Sequence, residues 1–417
     1  MKIKNRILTF SLASVIFGIS CLSGCSTSPN SNESAAENQV ETAKPSKETE
    51  PSDNDKHLSA EPVETEDTQL QKIISEMTLE EKICQLFMVT PEQLTLVDTV
   101  IQAGETTKEA LARRPVGGLI YFQSNIVDEQ QLKTMIANTQ SYSKYPLFIG
   151  IDEEGGPLVS RIANSGSFHV ETFPSMREIG ATGDYNKAYQ VGLSIGSYLH
   201  ELGFNMNFAP VADVLTNPSN TVIGSRSFGA DPEMNAQMVV QVTKGLQEQG
   251  ICAVLKHFPG HGGTNEDSHE NAVCNDRTLE QLKTTEFLPF SRGIHAGAGC
   301  VMVGHISLPS VTQNDLPATL SSEIITGLLR ETLSFDGIVI TDSMSMGAIT
   351  NYYTSGEAAI KAIQAGADII LIPQHFEQAF EGLLQAVQSG TITEDRIDES
   401  VYRILRYKLF QLPQTSQ

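Results

Sequence analysis

Lys256 to His269 reads KHFPGHGGTNEDSH, and its residue types are those that move protons. Lys256 and His257 close an apolar run, Pro259 and Gly260 turn the chain, and Gly262 and Gly263 leave the next stretch pliable. Asp267 and His269 follow, two residues apart on that loop. At this spacing a carboxylate can hold one ring nitrogen, fix the tautomer and leave the other nitrogen to give a proton. His257, His261, Asp267 and His269 are also metal-ligand types, so a metal site is the competing reading. Zinc hydrolases usually carry histidine pairs on a helix, which Pro259 and Gly260 would break, and the acid–base reading is therefore favoured with no metal expected. Lys256, His257 and His261 also fit plainer work, binding a substrate or shaping the loop.

A second segment, ITDSMSMGA, places Asp342 at the end of an apolar run before small residues. Alone, such an aspartate reads as the N-cap of the next helix. Beside an acid–base pair it reads as a nucleophile facing a cleft. Retaining cleavage of a glycosidic bond needs a carboxylate on one face of the sugar and an acid on the other.

These groups must be carried by strands. Eight short apolar runs recur, at 85–89, 118–122, 147–151, 204–208, 253–257, 301–305, 337–341 and 368–372. Amphipathic stretches at 129–142, 185–202, 232–249, 279–296, 321–333, 356–365, 376–388 and 394–409 read as helices. The alternation predicts an α/β fold, a (β/α)8 TIM barrel, with an open doubly wound sheet as the alternative. Polar residues at the run ends favour the barrel: Asp152, Asn207 with Asp213, Lys256 with His257, His305 and Asp342 finish five of the eight. An open sheet would gather its site at one switch point.

The chain has 417 residues, 40% hydrophobic, enough for one large barrel. Its net charge of −22 argues against nucleic acid as a partner. Trp is absent, unusual for a protein that stacks sugars on aromatic rings. Lys2, Lys4 and Arg6 precede an apolar run too short to span a membrane comfortably, and the run ends in Leu-Ser-Gly-Cys. Residues 1–24 are read as a signal peptide; the ending resembles the lipobox of bacterial lipoproteins. That resemblance implies cleavage before Cys25, lipidation of Cys25 and an extracytoplasmic body held to the membrane. Residues 25–68 are polar and acidic with few large apolar side chains, composition that predicts a disordered tether. The catalytic body is expected over 69–412. Cys84, Cys252, Cys274 and Cys300 show no CxxC spacing and are read as incidental thiols.

KHFPGHG followed by DSH, with TDSMSMGA and IDEEGG, resembles glycoside hydrolase family 3 in its β-N-acetylhexosaminidase branch, over about 77–409. The resemblance implies a single-domain enzyme whose acid/base is His269, held by Asp267, and whose nucleophile is Asp342. It also implies substrate contacts from Asp152, Arg226 in IGSRSFG, Lys256 and His257. Arg161, in a GGPLVSR stretch one residue longer than the family pattern, matches a binding arginine. The implied activity is exo-acting and retaining, on terminal β-N-acetylhexosamine of amino-sugar oligosaccharides or muropeptides, with no cofactor. Another activity of the family (β-glucosidase, xylosidase or phosphorylase) and a non-catalytic sugar-binding lipoprotein are the alternatives.

Overall fold

Each apolar run becomes a strand, and every strand residue is buried. Burial on both faces explains why the runs are continuous in hydrophobicity rather than alternating. The computed structural model of the protein describes residues 65–264 and 273–412. The strands are β1 (Phe87–Val89), β2 (Gly118–Ile120), β3 (Phe148–Ile151), β4 (Met206–Asn207), β5 (Cys252–Phe258), β6 (Cys300–Val303), β7 (Ile338–Thr341) and β8 (Ile370–Leu371). All pair in parallel in the order β8-β1-β2-β3-β4-β5-β6-β7. A bridge between Ile340 and Ile369 joins the two ends, and the Thr341 N–H donates to the Ile369 carbonyl at 3.0 Å. The ring is therefore a (β/α)8 barrel, as the alternation predicts. Val273–Cys274 and Ile306–Ser307 form a separate two-stranded pair.

Close approach fixes two glycines. A Cβ on Gly150 in β3 would lie 2.4 Å from Met88 Cε and 3.1 Å from Phe208, inside the barrel. A Cβ on Gly192 would lie 2.3 Å from the Val242 carbonyl, where the helix Tyr185–Leu202 crosses Pro232–Glu248.

The helices 129–142, 185–202 and 376–388 keep their expected bounds. The stretch 279–296 instead forms two helices, Leu279–Thr284 and Phe287–His295. Pro289 explains the break: a proline fits a first helical turn but not an interior one. Between β1 and β2 lie the helices Pro91–Thr95 and Glu105–Arg113, which the pattern of runs does not include. The helix Glu66–Ser75 starts inside the stretch expected to be tether, capped by Thr65. The expected signal peptide, the lipidated Cys25 and the tether up to residue 64 lie outside the described residues. Cys84, Cys252 and Cys300 are buried, Cys274 is partly so, and all four are free thiols.

The N-terminal end of the barrel is held by charge. Asp368 is buried and accepts from Arg330 at 2.6 Å, Arg403 at 3.1 Å, Ser400 at 2.7 Å and the Val339 N–H at 2.9 Å. Lys408 is also buried there, but among the described residues its ammonium has one acceptor, Gln85 Oε1 at 3.0 Å, and lies 5.0 Å from the Phe148 ring centroid. Burial pushes its pKa down to about 7. Below pH 7 both folded and unfolded chains hold this proton and the folded state bears the full penalty, on the order of 4–5 kcal/mol. The penalty fades between pH 7 and the ordinary lysine range, where only the unfolded chain stays protonated. Lys408→Met should therefore gain stability over the parent at pH 6, with the gain shrinking toward pH 10. A difference in unfolding free energy that is flat across that range would refute the assignment.

Candidate active site

The C-terminal strand ends surround a cavity of about 560 Å³. Asp152 and Glu154 follow β3, Lys256 and His257 belong to β5, and Asp342 follows β7. Arg161 and Arg226 reach the same cavity from loops, and Phe122, Phe208, Met302 and Leu371 supply apolar walls. A groove of about 760 Å³ at the opposite end of the barrel gathers Asp395, Asp398 and Arg403 but none of the candidate site residues.

One wall is a buried charge cluster. Lys256 Nζ donates to Asp152 Oδ1 and lies 2.7 Å from both that atom and Glu154 Oε1. Arg226 grips Glu154 with two parallel bonds, Nε to Oε2 at 2.8 Å and Nη2 to Oε1 at 2.7 Å. Its Nη1 donates to the Val222 carbonyl at 3.0 Å. Burial pushes the Glu154 carboxyl up, but Lys256 and Arg226 outweigh it and hold the group far below the ordinary carboxylate range. For Lys256, burial lowers the pKa and the two carboxylates more than restore it, so its net shift is upward. The cluster thus keeps its charges at neutral pH and fixes the donor Lys256 against Asp152.

Arg161 is less committed. Its nearest Asp152 oxygen is 3.9 Å away, and its guanidinium lies 5.7 Å from the Phe122 ring centroid. Its buried Nε has no acceptor among the described residues. A buried donor left this way costs about 1–3 kcal/mol, a cost that an incoming hydroxyl or carbonyl oxygen would relieve.

The same cavity carries a held histidine and a carboxylate. Asp213, fully buried, takes His257 Nδ1 at 2.8 Å and the N–H groups of His257 at 3.2 Å and His261 at 2.6 Å. That leaves Nε2 of His257 for a ligand. Burial pushes Asp213 up, but the His257 charge and these bonds bring it below its ordinary value. Burial likewise opposes ionisation of Asp342; His257, His305, the Ser343 N–H at 2.7 Å and Lys256 overcome it. Asp342 is therefore an ionised carboxylate at the cavity wall, as a nucleophile must be.

Asp152, Arg161, Arg226, Lys256, His257 and Asp342, scattered over 190 positions of sequence, line one cavity. Asp267 and His269 lie outside the described residues. Glu154 and the role of Asp213 escape a reading of the sequence alone. The acidic run in IDEEGG marks Glu154 only weakly, because its cationic partners, Lys256 of β5 and Arg226 of the turn Gly224–Arg226, are distant in sequence.

Residues 78–407 match the family model described as glycosyl hydrolase family 3 N terminal domain. The chain is 34% identical over 337 residues to a protein of Pseudoalteromonas piscicida named beta-hexosaminidase A, covering 74% of this chain but 55% of that one. It thus spans little more than half the length of that relative. A shorter relative from Nitrosomonas eutropha, named beta-hexosaminidase, is 32% identical, with 72% of this chain and 84% of that one covered. The solved structure of a glycoside hydrolase family 3 beta-N-acetylglucosaminidase from Paenibacillus sp. str. FPU-7 superposes with a TM-score of 0.74 at 40% identity, covering 80% of this chain and 62% of that one. A matched model over most of the chain, a shared barrel and strand-end residues converging on one cavity lead to a single assignment: the chain belongs to glycosyl hydrolase family 3.

Proposed function

We propose that the protein is a retaining, exo-acting β-N-acetylglucosaminidase that removes terminal β-linked N-acetylhexosamine from amino-sugar oligosaccharides, such as peptidoglycan fragments. The observation that carries the reading is the Asp342 carboxyl in one cavity with the Asp152–Lys256–Glu154–Arg226 cluster. The names of the relatives support the choice of sugar.

In this reading Asp152, Arg161, Arg226, Lys256 and His257 hold the sugar's hydroxyl and acetamido groups. Asp342 attacks the anomeric carbon from one face while His269, oriented by Asp267, protonates the departing oxygen from the other. A glycosyl-enzyme forms, and His269 then takes a proton from water as that water displaces Asp342. The configuration is retained. Histidine suits both halves because it changes charge near neutral pH. No cofactor is required by this chemistry. Lipidation at Cys25 would hold the enzyme at the outer face of a membrane, with the stretch from there to residue 64 as its tether.

One observation favours a second assignment of the acid: Asp213 holds His257 as a general acid would be held. Leaving-group dependence separates the two. His269→Ala should slow substrates with poor leaving groups far more than activated aryl glycosides, whereas His257→Ala should raise KM for both. The reverse pattern would move the acid role to His257. For the substrate, purified protein should cleave a chromogenic β-N-acetylglucosaminide in preference to the β-glucoside and β-xyloside, at a rate independent of phosphate. Cleavage of the latter two alone would overturn the choice of sugar, and dependence on phosphate would make the enzyme a phosphorylase.

A further inference from the structure

Glu153 lies between two residues of the site, Asp152 and Glu154, yet faces away from the cavity and is fully buried. Its main chain is braced by Asn207 of β4: the Glu153 N–H donates to Asn207 Oδ1 at 3.0 Å, and Asn207 Nδ2 donates to the Glu153 carbonyl at 2.8 Å. From there the chain leaves the barrel, turns through Gly155 and Gly156 at φ of 85° and 76°, and comes back. Glu153 pairs antiparallel with Ser160, Glu154 N–H donates to the Val159 carbonyl at 2.8 Å, and Arg161 N–H donates to the Asp152 carbonyl at 3.3 Å. The side chain of Glu153 then catches the returning strand just past Arg161. Its Oε2 accepts the Ile162 N–H at 2.8 Å, and its Oε1 accepts the Ala163 N–H at 3.1 Å and the Tyr198 hydroxyl at 2.8 Å.

We propose that Glu153 is a positioning residue for Arg161: its carboxylate clasps the backbone after Arg161 and so fixes the guanidinium in the sugar site. The reasoning is one of geometry and polarity. Among the described residues, Arg161 has a long contact to Asp152 and a ring contact to Phe122 to hold its head. Its place is therefore set largely by its backbone. That backbone is tied to the barrel at two successive N–H groups by the side chain of one residue, whose main chain is anchored to β4 through Asn207 and whose carboxylate also takes the Tyr198 hydroxyl of the helix Tyr185–Leu202. Burial pushes the Glu153 pKa up to about 7, and above that pH a carboxylate suits this place because Ile162, Ala163 and Tyr198 all donate to it. Glutamine would turn an amide N–H₂ toward at least one of those donors and release it.

The inference rests on the reading of Arg161 as a substrate-binding residue, and the test keeps the two apart. Full-length Glu153→Gln, Arg161→Ala and the double variant are compared with the parent for KM and kcat on the chromogenic β-N-acetylglucosaminide. Parent turnover checks the functional reading, and a raised KM in Arg161→Ala checks the role of the arginine. With both in place, Glu153→Gln should raise KM about tenfold with kcat changed less than about threefold, as for lost ground-state binding. The double variant should match Arg161→Ala within about twofold, since a residue acting through another adds nothing once that other is gone. Tyr198→Phe, which removes one donor and keeps the fold, should show a smaller shift of the same kind and serves if Glu153→Gln does not fold. A parent-like KM in Glu153→Gln, or effects that multiply in the double variant, would overturn the proposal. An unchanged KM in Arg161→Ala would remove the reading on which it stands.

Discussion

Asp342→Ala is expected to lower kcat on the order of 10³–10⁵-fold, the scale of losses when a covalent nucleophile is removed. The fold should survive. Among the described residues its side chain accepts from the neighbouring Ser343 N–H and anchors no other element, while His257, His305 and Lys256 offset the burial of its charge. Because the net shift of the Asp342 carboxyl is downward, thermal unfolding of the variant near neutral pH should match the parent or lie slightly below it. Added azide should restore turnover of an activated aryl glycoside, because a small anion can enter the vacated space and attack from the same face. The product would be the α-glycosyl azide. Normal turnover in Asp342→Ala would show that another group forms the bond to the sugar.

Lys256→Met should be the most damaging change to both stability and binding. In the parent, Lys256 neutralises Asp152 and Glu154 together, each at 2.7 Å. Methionine keeps the volume but leaves Glu154 with Arg226 and Asp152 with only the 3.9 Å contact of Arg161 among the described residues. Removing one partner from a buried ion cluster costs about 3–5 kcal/mol. The pH dependence follows from the direction of each shift. Lys256 has a raised folded pKa, so its stabilising effect is complete below the ordinary lysine value and is lost as pH rises through the raised one. Glu154 has a lowered folded pKa, so its contribution is present above the ordinary glutamate value and is lost as pH falls through the lowered one. Without Lys256 the depression of Glu154 weakens, and protonation near pH 4–5 relieves the charge left uncompensated. The deficit of Lys256→Met in chemical denaturation should thus be large at pH 7.5 and smaller at pH 5. A deficit below about 1 kcal/mol at pH 7.5 would mean that the cluster is solvated rather than buried.

The barrel was legible because parallel strands buried on both faces must be continuous apolar runs, and all eight runs are strands. Their polar ends were legible for the same reason: an ionisable residue closing an apolar run has to face the open end of the ring. Asp152, Lys256 and Asp342 could be picked out on that ground. Helix boundaries were less legible where a single residue decided them. Pro289 splits one expected helix, and the short helices between β1 and β2 are too brief to show a period. Glu153 and Glu154 stand side by side in IDEEGG with no difference in sequence to separate them. Only the fold turns one toward Arg226 and Lys256 and the other toward the backbone of Ile162 and Ala163. Arg161 and Arg226 lie on loops, where periodicity is silent, and their assignment came from motif resemblance.

The most direct test of the account is the anomer first released from a β-N-acetylglucosaminide, read by proton NMR before mutarotation. Attack by Asp342 followed by attack of water predicts the β-anomer of the free sugar. Initial release of the α-anomer would mean a single displacement by water, and would contradict Asp342 as a nucleophile that forms a glycosyl-enzyme.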